Sequence, residues 1–283
     1  ECLRFLVGRV ELVLGAKEIR QLAGTLEIKP TKKLGQNFVI DPNTINRIVS
    51  AAGLVPSDIV VEIGPGLGSL TLGLLEKVES VIAVEIDPKL AKQLPLTIAQ
   101  HAPGKTVELV LADALQIREL PQAPTALVAN LPYNISVPVL LHFLATFPSL
   151  ETGLVMVQAE VAHRLAATPG TKDYGSPSLK MSWYGPARLA GNIGRNVFWP
   201  APNVDSALVY FEHTVTRTAD RKAVFAVIDA AFGQRRKTLR QSLSSWAGSP
   251  TAAEEILIRA GIDPKFRGEQ LLIDQFISIS EAK

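Results

Sequence analysis

Hydrophobic residues in this chain fall in short, nearly continuous runs. The clearest are Asp58-Ile59-Val60-Val61-Glu62-Ile63, Ser80-Val81-Ile82-Ala83-Val84-Glu85, Val107 to Ala112, Ala126-Leu127-Val128-Ala129 and Gly153-Leu154-Val155-Met156-Val157-Gln158. Runs of this length with no polar alternation suit strands covered on both faces, as in a parallel sheet. Longer mixed stretches separate them. One spans about Leu70 to Lys77, and another opens at Asp87-Pro88, an N-cap acid followed by proline at the first helical position. Strands alternating with helices predict stacked βαβ units and an α/β fold with a mostly parallel sheet.

Upstream, the pattern predicts a helix over 16–28, then a proline-containing connector. Asp41-Pro42 starts a second helix with Ile45, Ile48 and Val49 on one face, and Gly53 ends it. Beyond residue 160 the pattern changes. Pro169 to Pro177 is a loop by its turn residues, and a helix follows near 178–184. The runs Ala187–Ile193 and Ala207–Phe211 predict a closing antiparallel hairpin, with a rigid aromatic loop, Val197 to Ser206, between them. A polar linker is expected near 214–220. Helices are expected over 221–232, 238–245 and 251–260, with one more near the end. The resulting division is an N-terminal helical extension (1–33), a catalytic domain (34–213) and a helical C-terminal domain (214–283).

Composition adds mainly exclusions. The chain has 283 residues, 47% of them hydrophobic, enough for two cores, and no apolar run approaches a membrane span. Arg9 and Glu11 interrupt the apolar N-terminal stretch, so no signal peptide is expected. A single cysteine, Cys2, excludes an intrachain disulfide and fits a reducing, cytoplasmic setting. The four histidines have no metal-ligand spacing, so no metal is expected. Net charge is only +2, too weak to mark a nucleic-acid binder. Its distribution matters more: Lys32 and Lys33 cluster near the N-terminus, and Arg235, Arg236, Lys237 and Arg240 near the C-terminus. Such clusters suit phosphates, although solvated faces look the same.

The candidate chemistry lies at successive strand ends, where ligands of open α/β sheets bind. Gly64, Gly66 and Gly68 make a turn after the first strand, and Glu85 ends the second, about twenty residues on, as in ribose-binding sites. Ser69 stands where a dinucleotide fingerprint wants a third glycine, which argues against NAD. Asp113, after the third strand, can accept from the exocyclic amine of an adenine. Ribose and adenine without pyrophosphate fit S-adenosylmethionine. After the fourth strand comes Asn130-Leu131-Pro132-Tyr133. Its side-chain and main-chain carbonyls (Asn130, Leu131) can accept N–H bonds from an exocyclic base amine, holding the lone pair out of the ring plane. Tyr133 can stack on the base, worth roughly 1–3 kcal/mol.

These motifs, Glu62-Ile63-Gly64-Pro65-Gly66-Leu67-Gly68, Leu34-Gly35-Gln36-Asn37-Phe38 and Asn130 to Ser136, resemble those of the ribosomal RNA adenine N6,N6-dimethyltransferases, especially their small-subunit branch. Gln158 to Leu165, the Lys172-x-Tyr174-Gly175 loop, Phe198-x-Pro200-x-Pro202-x-Val204-x-Ser206 and Gln234 to Arg240 match as well. The likeness runs from Lys32 to the C-terminus. It implies a class I, Rossmann-like methyltransferase with a mostly parallel seven-stranded sheet and a small helical C-terminal domain. It also implies that Asn37 and Val39 border S-adenosylmethionine, that Gly64 contacts its methionine part, Glu85 its ribose and Asp113 its adenine, and that Asn130 touches cofactor and target. Phe198 would cover the second face of a flipped adenosine, with Asn130, Leu131, Pro132 and Tyr133 around it. Lys32, Lys33, Arg235, Arg236, Lys237 and Arg240 would bind rRNA of an immature small subunit, with the protein acting as a monomer. The rival readings are a large-subunit methyltransferase of the macrolide-resistance type, an assembly factor for which methylation is secondary, a DNA adenine methyltransferase, and a nicotinamide oxidoreductase.

Overall fold

The computed structural model describes residues 13–28 and 37–283. In chain order its elements are α1 (Ala16–Thr25), β1 (Phe38–Val39), α2 (Pro42–Ala51), β2 (Ile59–Ile63), α3 (Ser69–Leu75), β3 (Ser80–Glu85), α4 (Pro88–His101), β4 (Glu108–Leu111), β5 (Ala126–Asn130) and α5 (Ser136–Thr146). There follow β6 (Thr152–Gln158), α6 (Ala159–Leu165), α7 (Ser176–Ser182), β7 (Ala187–Ile193), β8 (Phe198–Trp199), β9 (Ser206–Glu212), α8 (Arg221–Gly233), α9 (Leu239–Ser242), α10 (Ser244–Ala247), α11 (Pro250–Arg259) and α12 (Ile273–Glu281). None of the described helices is long and apolar enough to cross a membrane.

Seven strands form one sheet in the order β4-β3-β2-β5-β6-β9-β7. Counting only these seven in chain order, the sequence across the sheet is 3-2-1-4-5-7-6. The pairs β2–β3, β3–β4, β2–β5 and β5–β6 are parallel. The Glu212 N–H donates to the Pro186 carbonyl (3.1 Å), so the end of β9 meets the start of β7, as in the expected antiparallel hairpin. Val60, Ile82, Leu127, Val128, Leu154 and Val155 are fully buried, as continuous apolar strands covered on both faces must be. The order reverses between β2 and β5, and that switch point opens a crevice at the strands' C-terminal ends.

Three local expectations need adjustment. Helix α1 stops at Thr25 rather than 28, because Glu27 turns to φ +51° and the Glu27 and Ile28 amides fold back onto the Gly24 and Ala23 carbonyls (3.1 and 2.9 Å). The aromatic loop contains a strand: Phe198–Trp199 pairs antiparallel with Phe38–Val39, and the Phe38 and Trp199 rings stack with centroids 6.4 Å apart. The helix expected over 238–245 is two short helices meeting at Leu243.

The chain divides into two compact units, Glu1–Ala159 with Ala190–Tyr210, and Glu160–Leu189 with Phe211–Lys283. Residues 160–189, expected from the sequence to belong to the catalytic domain, thus pack with the helical C-terminal part. The bonds responsible are long-range within the second unit. The Tyr174 hydroxyl donates to the Leu271 carbonyl (2.9 Å), Lys180 pairs with Asp229 (2.6 Å), and the Arg217 Nε donates to the Trp183 carbonyl (3.2 Å). The core of that unit gathers Val224, Val227 and Ile228 of α8, Leu257 of α11 and Phe276 and Ile279 of α12, all fully buried.

Candidate active site

The first unit carries an open cavity with about 910 Å³ of empty space, part of it solvent, at the β2/β5 switch point. Each strand end contributes to its wall. After β2 the chain turns through Gly64 and Gly66, both at positive φ (+70° and +60°). A Cβ on Gly66 would lie 3.0 Å from the Phe38 ring, so only glycine lets β1 close over the turn. A Cβ on Gly64 would meet no protein atom within 4 Å, although Gly64 lines the cavity. The space beside it is therefore left for a ligand.

Glu85, at the end of β3, is 5% exposed. Its Oε1 accepts the Ile86 and Asp87 N–H groups (both 2.9 Å) and its Oε2 accepts Gly66 N–H (3.2 Å). Burial raises its pKa, and these three main-chain bonds oppose that rise. A carboxylate has about four acceptor positions, so a place remains on Oε2 for a hydroxyl donor. Asp113, two residues beyond β4, lines the cavity and accepts the Leu115 N–H (2.9 Å).

Asn130 ends β5. Its Nδ2 donates to the Asn37 main-chain carbonyl at 3.0 Å. A carbonyl can only accept, so this bond fixes which end of the amide is which and leaves Oδ1 as the acceptor for an incoming N–H. Asn37 and Val39 line the cavity, Val39 held by the β1–β8 ladder and Asn37 just before it. Leu131 is buried and donates its N–H to the Met156 carbonyl (3.1 Å), while Pro132 reaches the cavity wall. The Tyr133 hydroxyl shares a 2.6 Å hydrogen bond with Ser206 Oγ of β9, which orients the ring, and burial raises its pKa.

Asn37, Val39, Gly64, Gly66, Glu85, Asp113, Asn130 and Pro132 thus meet around one cavity. Leu131, Tyr133 and Phe198 are not among the residues that line it. Phe198 is 3% exposed and belongs to the same buried core as Phe38 and Val39 of β1, the strand its own pairs with. Glu62, which enters the sequence reading only as part of a motif, does line the cavity. It is 1% exposed, its Oε2 accepts the Thr71 hydroxyl (2.6 Å), and burial pushes its pKa up to about 8. Its signal in the sequence is an acid inside an otherwise apolar strand.

The basic cluster of the second unit is split. Arg235 pairs with Glu269 (3.0 Å) and donates to the Lys172 carbonyl (2.7 Å), and Arg240 pairs with Glu254 (2.7 Å). Arg236 and Lys237 are exposed. Beside them lies a loop bearing exposed Lys265, Phe266 and Arg267, joined by the Leu239 N–H to Phe266 carbonyl and Arg240 N–H to Pro264 carbonyl bonds (2.6 and 3.1 Å). Lys32 and Lys33 lie outside the described residues.

The titratable groups lining the cavity are three carboxyls, and among the described residues no Lys, Arg or His lines it. That set suits a ligand with ribose hydroxyls, an exocyclic amine and positive charge, and it repels a pyrophosphate. It fits S-adenosylmethionine and not a dinucleotide. Together with the 3-2-1-4-5-7-6 sheet it defines a class I S-adenosylmethionine-dependent methyltransferase.

The family model described as "Ribosomal RNA adenine dimethylase" matches residues 28–283, and the chain belongs to that family. It is 61% identical over 274 residues to "Ribosomal RNA small subunit methyltransferase A" of Thermobifida fusca, covering 95% of this chain and 96% of that one. Two solved structures are similar. A dimethyladenosine transferase from Plasmodium falciparum shares the fold, with a TM-score of 0.71, 23% identity and coverage of 84% of this chain and 94% of that one. The 23S rRNA methyltransferase ErmE has a TM-score of 0.61 at 27% identity, covering 87% and 98%. The lower identity to the large-subunit enzyme disfavours that rival.

Proposed function

We propose that this chain transfers methyl groups from S-adenosylmethionine to N6 of two adjacent adenosines in a hairpin loop near the 3′ end of small-subunit rRNA. The substrate is an immature small subunit, met in the cytoplasm by a monomer. The observation that supports the reading is the Asn130 amide at the switch point, whose Nδ2 donates to the Asn37 carbonyl and so leaves Oδ1 as the end that can accept from an amine. The 61% identity to a small-subunit rRNA methyltransferase supports the choice of RNA.

The cofactor supplies a methyl group activated by a sulfonium. The protein supplies position. Asn130 Oδ1 and the Leu131 carbonyl accept the two N6 hydrogens, which turns the nitrogen lone pair out of conjugation. Tyr133, anchored through Ser206, presents its ring to the extruded base. A strong base is unnecessary, because the N6 proton becomes acidic only after the methyl arrives. One hydrogen remains after the first transfer, so the same acceptor serves for the second. Catalysis by placement alone has ample capacity for such a reaction. Phe198 pairs with Val39 of β1 and is 3% exposed, close to the turn that would hold the base's second face. Arg236 and Lys237, with Lys265 and Arg267 beside them, offer phosphate contacts, and Phe266 a stacking face.

The test is transfer of tritiated methyl from S-adenosylmethionine to unmethylated small subunits, followed by nucleoside analysis. Two dimethyladenosines per particle are expected. Label in large-subunit RNA alone would overturn the reading.

A further inference from the structure

Tyr133 is half-buried, and one short hydrogen bond holds its ring. Ser136 Oγ lies 3.4 Å from its main-chain carbonyl, a long contact, whereas its phenol hydroxyl shares a 2.6 Å bond with Ser206 Oγ. Ser206 is fully buried, and a buried hydroxyl keeps its partner because no water is there to replace it. It is also a fixed point. Ser206 opens β9, and Asp205 just before it accepts the Ala159 N–H on its carbonyl (2.9 Å) and the Arg195 N–H on its carboxylate (3.1 Å). The bond from Tyr133 therefore runs from the turn after β5 to β9, two strands away across β6. A tyrosine ring turns about two side-chain torsions, and a hydrogen bond at its far end restrains both.

Resting on the reading above that Tyr133 stacks on the target base, we propose that Ser206 is a positioning residue whose bond to Tyr133 matters more for the second methyl transfer to an adenosine than for the first. In the first transfer N6 gives one hydrogen to Asn130 Oδ1 and one to the Leu131 carbonyl. The nitrogen lone pair forms the new N–C bond, the methyl's bond to sulfur breaks with its electron pair left on sulfur, and one N6 proton passes to solvent. N6 then carries one methyl and one hydrogen. When a second S-adenosylmethionine is used, only one of the two carbonyls finds a donor, and the other is left unpaired. The base has lost a polar anchor, while its flat face is unchanged. Stacking on Tyr133 then carries the larger share of the alignment, so a ring free to tilt harms the second transfer most. Ser206 thereby favours dimethyladenosine over monomethyladenosine from a buried position.

The test is methyl transfer by excess full chain, with saturating S-adenosylmethionine, to unmethylated small subunits, counting N6-methyl- and N6,N6-dimethyladenosine over time. Ser206→Ala is expected to slow the second transfer about tenfold and the first by no more than about threefold, so that monomethyladenosine accumulates. Tyr133→Phe removes the same bond from its other end and keeps the ring, so it should give the same product ratio. The double variant should be no worse than either single one, because all three lack one and the same bond. The Kd for S-adenosylmethionine should stay close to wild type throughout, which a general loosening of the fold would not allow. A folded Ser206→Ala that slows both transfers equally, or neither, overturns the proposal, as does an additive loss in the double variant. Should Ser206→Ala fail to fold, Tyr133→Phe decides alone, and a wild-type product ratio from it refutes the assignment. Absence of any transfer to small subunits by the wild type would instead sink the reading of the site, and this assignment with it.

Discussion

The cavity of the first unit and the basic loop region of the second use charge in opposite ways. Around the cavity the acids are few, shielded and fixed. Glu85 is held by three main-chain donors and Glu62 by a buried hydroxyl. In the second unit the cations are many, and they divide between partners within the unit and open solvent. Arg235 and Arg240 are taken by Glu269 and Glu254, while Arg236 and Lys237 are exposed. A site that must place one methyl group requires rigid geometry. A surface that must hold a long polyanion requires only available charge, with the remaining cations left to stabilise the fold.

The sharpest way to break this contrast is at Asn130. If the cavity works by placement, Asn130→Ala should reduce single-turnover methyl transfer about 10²–10³-fold, in line with losing one well-placed polar contact. Its S-adenosylmethionine Kd, read by titration, should move far less. Equal methyl incorporation by the folded variant and wild type would remove the amide from the mechanism.

A smaller but still large effect is expected from Glu62 on stability. Its pKa is 4.5 when exposed and about 8 in the fold. Between those values the folded state binds more protons than the unfolded one, so stability falls as pH rises through this window and levels off above pH 8. Glu62→Gln lacks that loss. Its stability relative to wild type should therefore rise from pH 5 to pH 8 by a few kcal/mol, because each pH unit crossed inside the window is worth about 1.4 kcal/mol. Urea denaturation at pH 5, 6.5 and 8 measures the difference. A constant gap would mean that Glu62 is ionised in the fold like an ordinary carboxylate.

The two regions also differ in how far the sequence discloses them. The cavity is legible because each of its parts is a local strand-end event. A glycine turn, an acid three residues before a helix, and an amide before Pro132 each announce themselves within a few residues, and the parallel sheet lines them up. Even so, Glu62 stays hidden, because an acid inside an apolar run gives no hint of which face it takes until register is known. Phe198 is hard to place for a related reason: nothing in the aromatic loop announces that Phe198–Trp199 pairs with Phe38–Val39 or that Phe198 is 3% exposed. In the second unit, Arg235 and Arg236 are neighbours of identical type. Whether each meets an acid depends on Glu269, 34 positions away from Arg235, which no local pattern encodes. The domain boundary is hidden for the same reason, since Tyr174 and Leu271 are 97 positions apart.

For the second unit, the comparison sharpens into a salt titration. If Arg236 and Lys237 contact phosphates, the double variant Arg236→Ala/Lys237→Ala should lower the slope of log affinity against log salt by about two, one for each lost contact. Filter binding to small subunits across 50–200 mM salt gives the slope. Folding should be untouched, because neither side chain is buried. An unchanged slope would move the RNA contact elsewhere on the protein.

The smallest effect expected is the most diagnostic of the division among the cations. Arg235 and Glu269 are both about one-third exposed, 39% and 33%, so their attraction is screened and contributes about 0.5–1 kcal/mol. Arg235→Ala should lower stability by about that amount, with a little more from the lost bond to the Lys172 carbonyl. Its salt slope should stay close to wild type, because a guanidinium already bonded to a carboxylate and a carbonyl has little left to offer a phosphate. Thermal melts and the same filter assay read both quantities on one preparation. A slope lowered by a full unit would mean that Arg235 exchanges Glu269 for RNA on binding. The second unit would then hold its cations in reserve rather than dividing them between two tasks.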